Sequence, residues 1–229
     1  MIKVYGFPRS GNHLLMELIG RNFYPGQDLT SPAGEVGHWS DRAQVGPVEF
    51  GKLAGHHGPP SWGYEPGQSV YVYRDGRAVA ASLYRSPHFR SKQTDGLTFS
   101  EWLRAPLDWS WSVGRRGGIG RRGSNGKNVI EHWVEHLTAW DKIDNLYWPL
   151  RFCNYAKMAK NPHGTVYGLQ AVVFELVAVN DEEYIIPDQP VGHFPSGGRL
   201  DGWRELWSDD DEAWFRGIVP DGFYGVSDD

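Results

Sequence analysis

The sequence predicts a three-layer α/β fold in which helices cover a central parallel β-sheet. Two segments predict it, because residues 2–19 and 69–84 each pass from β-branched and aromatic residues, through a break that contains Gly, to apolar residues at helical spacing. A chain of 229 residues is long enough to bury a core between such a sheet and its helices. Neither an internal repeat nor a linker divides the sequence, so we expect one domain over residues 1–229.

The first strand-to-helix turn has the form of an anion-binding loop. Residues 2–7 are the predicted strand, residues 8–12 the turn, and residues 13–19 the start of the helix. Backbone N–H groups in such a turn point at a common centre, in front of the positive end of the helix dipole, and phosphate is a usual ligand there. The alternative is a plain turn with no ligand.

This loop differs from the loop that binds nucleoside triphosphates. Gly6 and Gly11 keep the glycine spacing of GxxxxGK[ST], but Asn12 and His13 stand in the places of the Lys and the Ser/Thr. The cation is Arg9, inside the loop. Because the hydroxyl that would bind Mg²⁺ is missing, the loop can hold phosphate but is poorly equipped for metal-assisted phosphoryl transfer. We expect no metal site.

A second segment places a cation at a strand end. Residues 70–73 predict a strand, Arg74 follows it, and Ser82 lies about two turns into the next helix. Ligands bind at the carboxyl ends of strands in α/β sheets, and the planar fork of an Arg side chain suits phosphate. Taken singly, each of these two residues is more often an ordinary surface side chain.

Five segments in chain order resemble the sulfotransferases that use 3′-phosphoadenosine 5′-phosphosulfate (PAPS), the cytosolic type above all. The first loop resembles their 5′-phosphosulfate loop, YPKSGTTW, and Arg74 and Ser82 keep the eight-residue separation of their 3′-phosphate motif. Residues 132–141, 152–162 and 196–208 resemble the family segments SWxxHVxxWW, FYEDMKxNP and RKGxxGDWKxxFT. The resemblance implies the sulfotransferase fold and transfer of a sulfuryl group from PAPS to an acceptor hydroxyl.

The resemblance also implies the residues that bind the nucleotide. The loop would surround the 5′-phosphate, the second segment would hold the 3′-phosphate, and Tyr155 would contact adenine, although a core aromatic is the alternative for Tyr155. The C-terminal match adds Gly198 and Arg199. The implied nucleotide-binding residues are Arg9, Ser10, Gly11, Asn12, His13, Arg74, Ser82, Tyr155, Gly198 and Arg199.

Two adjacent histidines lie between the two phosphate segments. The family has its catalytic His there, in a KTHLP-like segment, and residues 52–59 occupy that place. His56 follows the short apolar stretch more directly, so we expect it to be the general base, with His57 as the alternative. An imidazole that titrates near neutrality can take the proton of an attacking hydroxyl. Arg9, in place of the family Lys, would neutralise charge on the bridging oxygen.

Composition limits the classes of binding partner and the cellular compartment that we expect. The net charge of −5 argues against general nucleic-acid binding, and no segment approaches the roughly 20 apolar residues of a membrane helix. Cys153 is the single cysteine, and the chain enters its first strand at once, so we expect a cytoplasmic protein. The Gly- and Arg-rich residues 114–127 predict a flexible basic loop. Four roles are open for it: a solvated loop without function, binding of an anionic acceptor, closure over PAPS, or recruitment of nucleic acid.

Two other functions stay open. A P-loop kinase of a small molecule is disfavoured by Asn12 and His13, and a nucleotide-binding protein without catalysis is allowed by Arg9 and by the weak C-terminal match. The acceptor is expected to be a small molecule or a carbohydrate with a hydroxyl group.

Two further predictions concern helices. Residues 132–141 are expected to pack Trp133, Leu137 and Trp140 into the core, with no chemical role. Ser208 and Asp211 form a capping-box pattern that predicts the start of a helix, and not a metal site, in the acidic run 209–212.

Overall fold

The computed structural model describes most of the chain, with gaps between the described stretches. These stretches are residues 2–24, 36–38, 53–58, 60, 69–86, 95–107, 126–143, 151–172, 184–186 and 200–223.

Within these residues the strands form one parallel sheet. They are β1 (Ile2–Tyr5), β2 (Val36–His38), β3 (Leu53–His56), β4 (Ser69–Tyr73) and β5 (Arg151–Asn154), in the spatial order β2-β3-β1-β4-β5. The central strand β1 pairs with β3 on one side and with β4 on the other. Because parallel strands all end at the same edge of a sheet, the turns that follow β1, β3, β4 and β5 emerge together.

The helices begin at the signals that the sequence contains. They are α1 (Asn12–Phe23), α2 (Gly76–Tyr84), α3 (Phe99–Arg104), α4 (Val129–Asp141), α5 (Tyr155–Lys160), α6 (Pro162–Val172), a 3₁₀ helix (Gly202–Glu205) and α7 (Asp209–Ile218). Capping boxes start α3, α4 and α7, and each satisfies backbone N–H groups of the first turn. The capping box of α7 is the predicted pair Ser208 and Asp211.

Strand residues alternate between two hydrophobic cores, and this alternation produces three layers. Val70 and Val72 face a core that contains side chains of α1, α5 and α6. Tyr71, between them, faces a second core built with α2, α3, α4 and α7. The predicted three-layer architecture is confirmed, and so is the burial of Trp133, Leu137 and Trp140 in the second core.

Asp211 is a buried charge that ties α7 to α3. One carboxylate oxygen accepts hydrogen bonds from the hydroxyls of Ser100, at 2.7 Å, and Ser208, at 2.8 Å. The other oxygen pairs with Arg104. Burial alone would raise the pKa of this carboxyl, but the hydrogen bonds from Arg104, Ser100 and Ser208 bring the pKa below its ordinary value. The ionised carboxylate therefore stabilises the folded state.

We expect Asp211→Asn to lower the free energy of unfolding by about 2 kcal/mol near neutral pH, because it removes a charged acceptor of several hydrogen bonds. Since the folded-state pKa lies below the unfolded one, the stabilisation is complete above the unfolded pKa and disappears as the pH falls through the folded pKa. Urea titrations of both proteins at decreasing pH should show the difference shrink. The control is Asp210→Asn, an exposed neighbour, which should cost less than about 1 kcal/mol. A difference that stays constant into strong acid would contradict this account.

Candidate functional site

The turns after four strands gather the predicted site residues at the carboxyl edge of the sheet. The register places Tyr5 at the end of β1 beside His56 and Tyr71, and it places Tyr73 beside Asn154. The loop after β1, the segment after β3, Arg74 after β4 and Tyr155 after β5 therefore start from neighbouring points.

The loop between β1 and α1 is wound tightly in front of the helix. Gly11 has a φ of 111° and Arg9 has a φ of 68°, which is uncommon for a residue with a side chain. The N–H of Ser10 donates to the carbonyl of Phe7 at 3.0 Å, which closes the turn. No described side chain caps the N-terminus of α1, and the hydroxyl of Ser10 is fully buried with no hydrogen-bond partner among the described residues. Both features suit an anion held by the loop.

The two predicted phosphate segments touch each other. Nε of Arg9 donates to the hydroxyl of Ser82 at 3.0 Å, across 73 positions of sequence. The guanidinium of Arg74 donates to the carbonyl oxygen of Arg9 at 3.3 Å. The structure thus joins the loop and the second segment into one site.

This site holds two cations close together, of which Arg74 is buried and Arg9 is half-buried. Burial lowers the pKa of Arg9, and repulsion from Arg74 lowers it further. Burial also lowers the pKa of Arg74, while Tyr155 and Asp75 act in the opposite direction. Arg77 binds Asp75 through both carboxylate oxygens, at 3.0 and 2.6 Å, so the nearby acid is already engaged by another cation. Like charges in a poorly solvated place favour binding of an anion.

Tyr155 forms a wall of this site. Its ring lies 4.4 Å from the guanidinium carbon of Arg74, in a cation–π contact, and only 8% of the residue is exposed. The ring also packs on Gly11, where an added Cβ would clash with it. As the first residue of α5, Tyr155 fixes the Arg74 side chain, and its contact with adenine stays a prediction.

His57 contacts the loop directly. Its Nδ1 lies 2.7 Å from the carbonyl oxygen of Gly6 and 3.4 Å from the side-chain nitrogen of Asn12. A carbonyl oxygen only accepts, so we assign the proton to Nδ1, which leaves the lone pair of the neutral ring on Nε2. His56 is the last residue of β3, and its side chain lies outside the described part of the structure.

The remaining predicted site residues lie either beside the loop or outside the described residues. His13 lies in the first turn of α1, beside the loop. Gly198 and Arg199 lie outside the described residues, as does most of the basic loop 114–127.

The helix α4 makes contacts with the histidine segment that the sequence did not predict. Nε2 of His136 donates to the backbone carbonyl of His57 at 3.0 Å, and the hydroxyl of Tyr71 lies 2.7 Å from Nδ1 of His136. The indole N–H of Trp140 donates to the carbonyl of Gly58 at 3.2 Å. A signal was present, because His136 stands at the His of the family helix SWxxHVxxWW and shares a helix face with Trp140.

Three further observations on the described ranges concern metal ligands, membrane helices and the single thiol. No three His, Cys, Asp or Glu side chains there could hold a metal ion together, and no helix there is long and apolar enough to cross a membrane. Burial raises the pKa of the Cys153 thiol to about 11, so this residue is protonated near neutral pH and is a weak nucleophile.

Known proteins resemble this chain in structure and not in sequence. No family model and no curated protein matches the sequence. Among solved structures, the chain is similar to the mouse sulfotransferase SULT7A1 complexed with PAP, with a TM-score of 0.60 and 17% sequence identity. The likeness covers 95% of this chain and 81% of the mouse protein. It confirms the predicted α/β sulfotransferase fold.

We expect Gly11→Ala to lower the free energy of unfolding by at least about 1–2 kcal/mol, because a side chain is unfavourable at positive φ and would also displace Tyr155. The control is Gly168→Ala in α6, where an added Cβ meets nothing within 4 Å. That change should raise the stability by up to about 1 kcal/mol, as Ala favours helix over Gly. Urea unfolding of the two variants measures the decrease expected for Gly11→Ala and the increase expected for Gly168→Ala. A Gly11→Ala protein as stable as wild type would contradict the loop geometry.

Proposed function

We propose that this protein is a sulfotransferase that transfers a sulfuryl group from PAPS to a hydroxyl of a small-molecule or carbohydrate acceptor. The observation that carries the proposal is the pair of cations in front of α1: Arg9 donates to the hydroxyl of Ser82, and Arg74 donates to the carbonyl oxygen of Arg9. Such a site suits a ligand with more than one anionic group, and PAPS carries a phosphosulfate and a separate phosphate. The likeness to a sulfotransferase complexed with PAP supports the same choice.

The residues present fit this nucleotide. The backbone N–H groups of residues 10–13 would hold the 5′-phosphate, and the buried hydroxyl of Ser10 offers a further donor. Arg74 and Ser82 would hold the 3′-phosphate. Arg9 bonds to Ser82 and belongs to the loop, so its guanidinium can neutralise charge at both ends, including charge that develops on the bridging oxygen.

The base is proposed to be one of the two adjacent histidines. The sequence favours His56, whose side chain lies outside the described residues, and His57 is the one with a described contact to the loop. We assign the base to His57 on that contact, with His56 as the alternative. Nδ1 of His57 donates to Gly6 in the loop, which brings the ring to the anion site and leaves Nε2 to accept the acceptor's proton. When bound, PAPS supplies a sulfur atom that the acceptor oxygen attacks as the bond from sulfur to the 5′-phosphate oxygen breaks. The leaving group is adenosine 3′,5′-bisphosphate.

We predict that adenosine 3′,5′-bisphosphate binds without metal, and that adenosine 5′-phosphate binds much more weakly because it has no 3′-phosphate to contact Arg74 and Ser82. Arg74→Ala should weaken binding of the bisphosphate by about 2–3 kcal/mol, on the order of 100-fold in Kd, as expected for a charged hydrogen bond. Calorimetry measures these affinities. The control is Arg21→Ala, which removes an exposed Arg paired with Glu17 on α1 and should change nothing.

Two results of the same titrations would contradict the assignment. Equal affinity for the two nucleotides would remove the proposed role of Arg74 and Ser82. Tighter binding of ATP with Mg²⁺ than of the bisphosphate would favour a kinase instead.

We predict that His57→Ala lowers turnover of labelled PAPS by about 10²–10⁴-fold, the usual loss of a general base, with the affinity for the bisphosphate unchanged. His56→Ala is the matched comparison and should lose far less. The reverse order would make His56 the base, as the sequence predicts. Normal turnover in both single variants and in the double variant would exclude a histidine base here. A wild-type protein that binds the nucleotide but transfers sulfate to none of a panel of hydroxyl acceptors would be a non-catalytic nucleotide-binding protein.

A further inference from the structure

We propose that His136 is a positioning residue that holds His57 in the tautomer and orientation needed for proton transfer, and that Tyr71 in turn holds His136. The inference rests on the proposed function, since it assigns a role around the proposed base. It is carried by a continuous series of hydrogen bonds between α4, β4 and the segment after β3.

The direction of each hydrogen bond follows from its partners. The carbonyl oxygen of His57 only accepts, so Nε2 of His136 carries the proton of that bond, at 3.0 Å. In a neutral ring, Nδ1 of His136 is then the acceptor, and the hydroxyl of Tyr71, at 2.7 Å, is the donor. Burial raises the pKa of Tyr71 far above its ordinary value, more than a hydrogen bond with the Phe7 backbone lowers it, so the hydroxyl keeps its proton. Every donor in the series thus has one matching acceptor.

These bonds clamp the histidine segment to a rigid helix. His136 and Trp140 are one turn apart on α4, and they donate to the consecutive carbonyls of His57 and Gly58. The helix itself is fixed, because Trp133, Leu137 and Trp140 are fully buried. The ring of His57 is tied separately to the loop through Gly6. The backbone and the ring of the proposed base are therefore held from two different elements.

The same contacts argue that His136 is not itself the base. Nε2 of His136 is engaged with a carbonyl oxygen, and Nδ1 already accepts a hydrogen bond from the hydroxyl of Tyr71. The ring also packs edge-on against Phe7, with centroids 5.5 Å apart. Neither nitrogen is positioned to take a proton from an acceptor, so its effect on catalysis passes through His57. A displacement of about 1 Å of a catalytic group can cost on the order of 10²-fold in rate.

The test compares His136→Ala with His136→Gln, because the amide N–H of Gln can replace the donor to the His57 carbonyl and Ala cannot. We expect His136→Ala to lower kcat about 10–100-fold, with KM for PAPS and the Kd of the bisphosphate unchanged. His136→Gln should recover most of the lost rate. The matched controls are His132→Ala and His132→Gln, one turn earlier on the same helix and also half-buried, which should keep wild-type rates.

A second readout does not need turnover. The ¹⁵N resonances of the imidazole ring report which nitrogen of His57 carries the proton. Wild type and His136→Gln should show the proton on Nδ1, and His136→Ala should show a mixture of tautomers. If His136→Ala does not fold, Tyr71→Phe tests the same series by removing one hydroxyl, with Tyr84→Phe as its control, since the Tyr84 hydroxyl donates to Leu97 outside the site.

Two outcomes would overturn the inference. One is a His136→Ala or Tyr71→Phe protein with an unchanged His57 tautomer and an unchanged rate. The other is a folded His136→Gln protein as inactive as His136→Ala, which would give His136 a part in the chemistry itself. If the wild-type protein transfers no sulfate, the proposed function fails, and the tautomer measurement still decides the role of His136.

Discussion

Two guanidinium groups held beside each other, that of Arg74 buried and that of Arg9 half-buried, are the constraint on which this site depends. Their mutual repulsion and their loss of water oppose folding, so the surrounding chain has to hold them in place. Arg9 is fixed by an uncommon left-handed backbone and by its bond to Ser82. Arg74 is fixed by the ring of Tyr155 and by the carbonyl of Arg9. Binding of an anion would relieve this repulsion, so the same arrangement that costs stability favours the ligand.

Residues far along the chain hold the side chain that binds Asp75, the acid that follows Arg74. Asp75 follows Arg74 directly, yet its carboxylate is bound by Arg77, which also pairs with Glu212 of α7 at 3.0 Å. The guanidinium of Arg77 stacks on Trp203 of the 3₁₀ helix, 4.4 Å from the ring centroid. The C-terminal helices therefore do more than cover the second core. They hold Arg77 where its guanidinium engages Asp75, the acid that acts on Arg74.

The sequence predicted what depends on local pattern. The composition of residues 70–73 predicted β4, the turn at residues 8–12 predicted the start of α1, and Ser208 with Asp211 predicted the cap of α7. What it missed depends on contacts between distant segments. Neither the Arg9–Ser82 bond nor the bond from His136 to His57 leaves a periodic trace, because each joins residues brought together only by the order of the parallel strands. The choice between the two adjacent histidines stays a prediction, since ring orientation is set by tertiary partners and the side chain of His56 lies outside the described residues.

The Arg at position 9 bears on two tasks proposed for this site, proton donation to the leaving oxygen and neutralisation of its charge. A Lys in that loop could give a proton to a leaving oxygen, but a guanidinium stays protonated in proteins and acts only by charge and hydrogen bonds. Its Nε already donates to Ser82, so the contribution of Arg9 to the leaving group would come from the charge of the whole guanidinium. Stabilisation of the leaving group would then be electrostatic throughout, and the one proton that moves would be taken by the histidine. The contacts of α4 with His57 and the pair formed by Arg9 and Arg74 would then be complementary, since each would hold one of the two tasks on a rigid element.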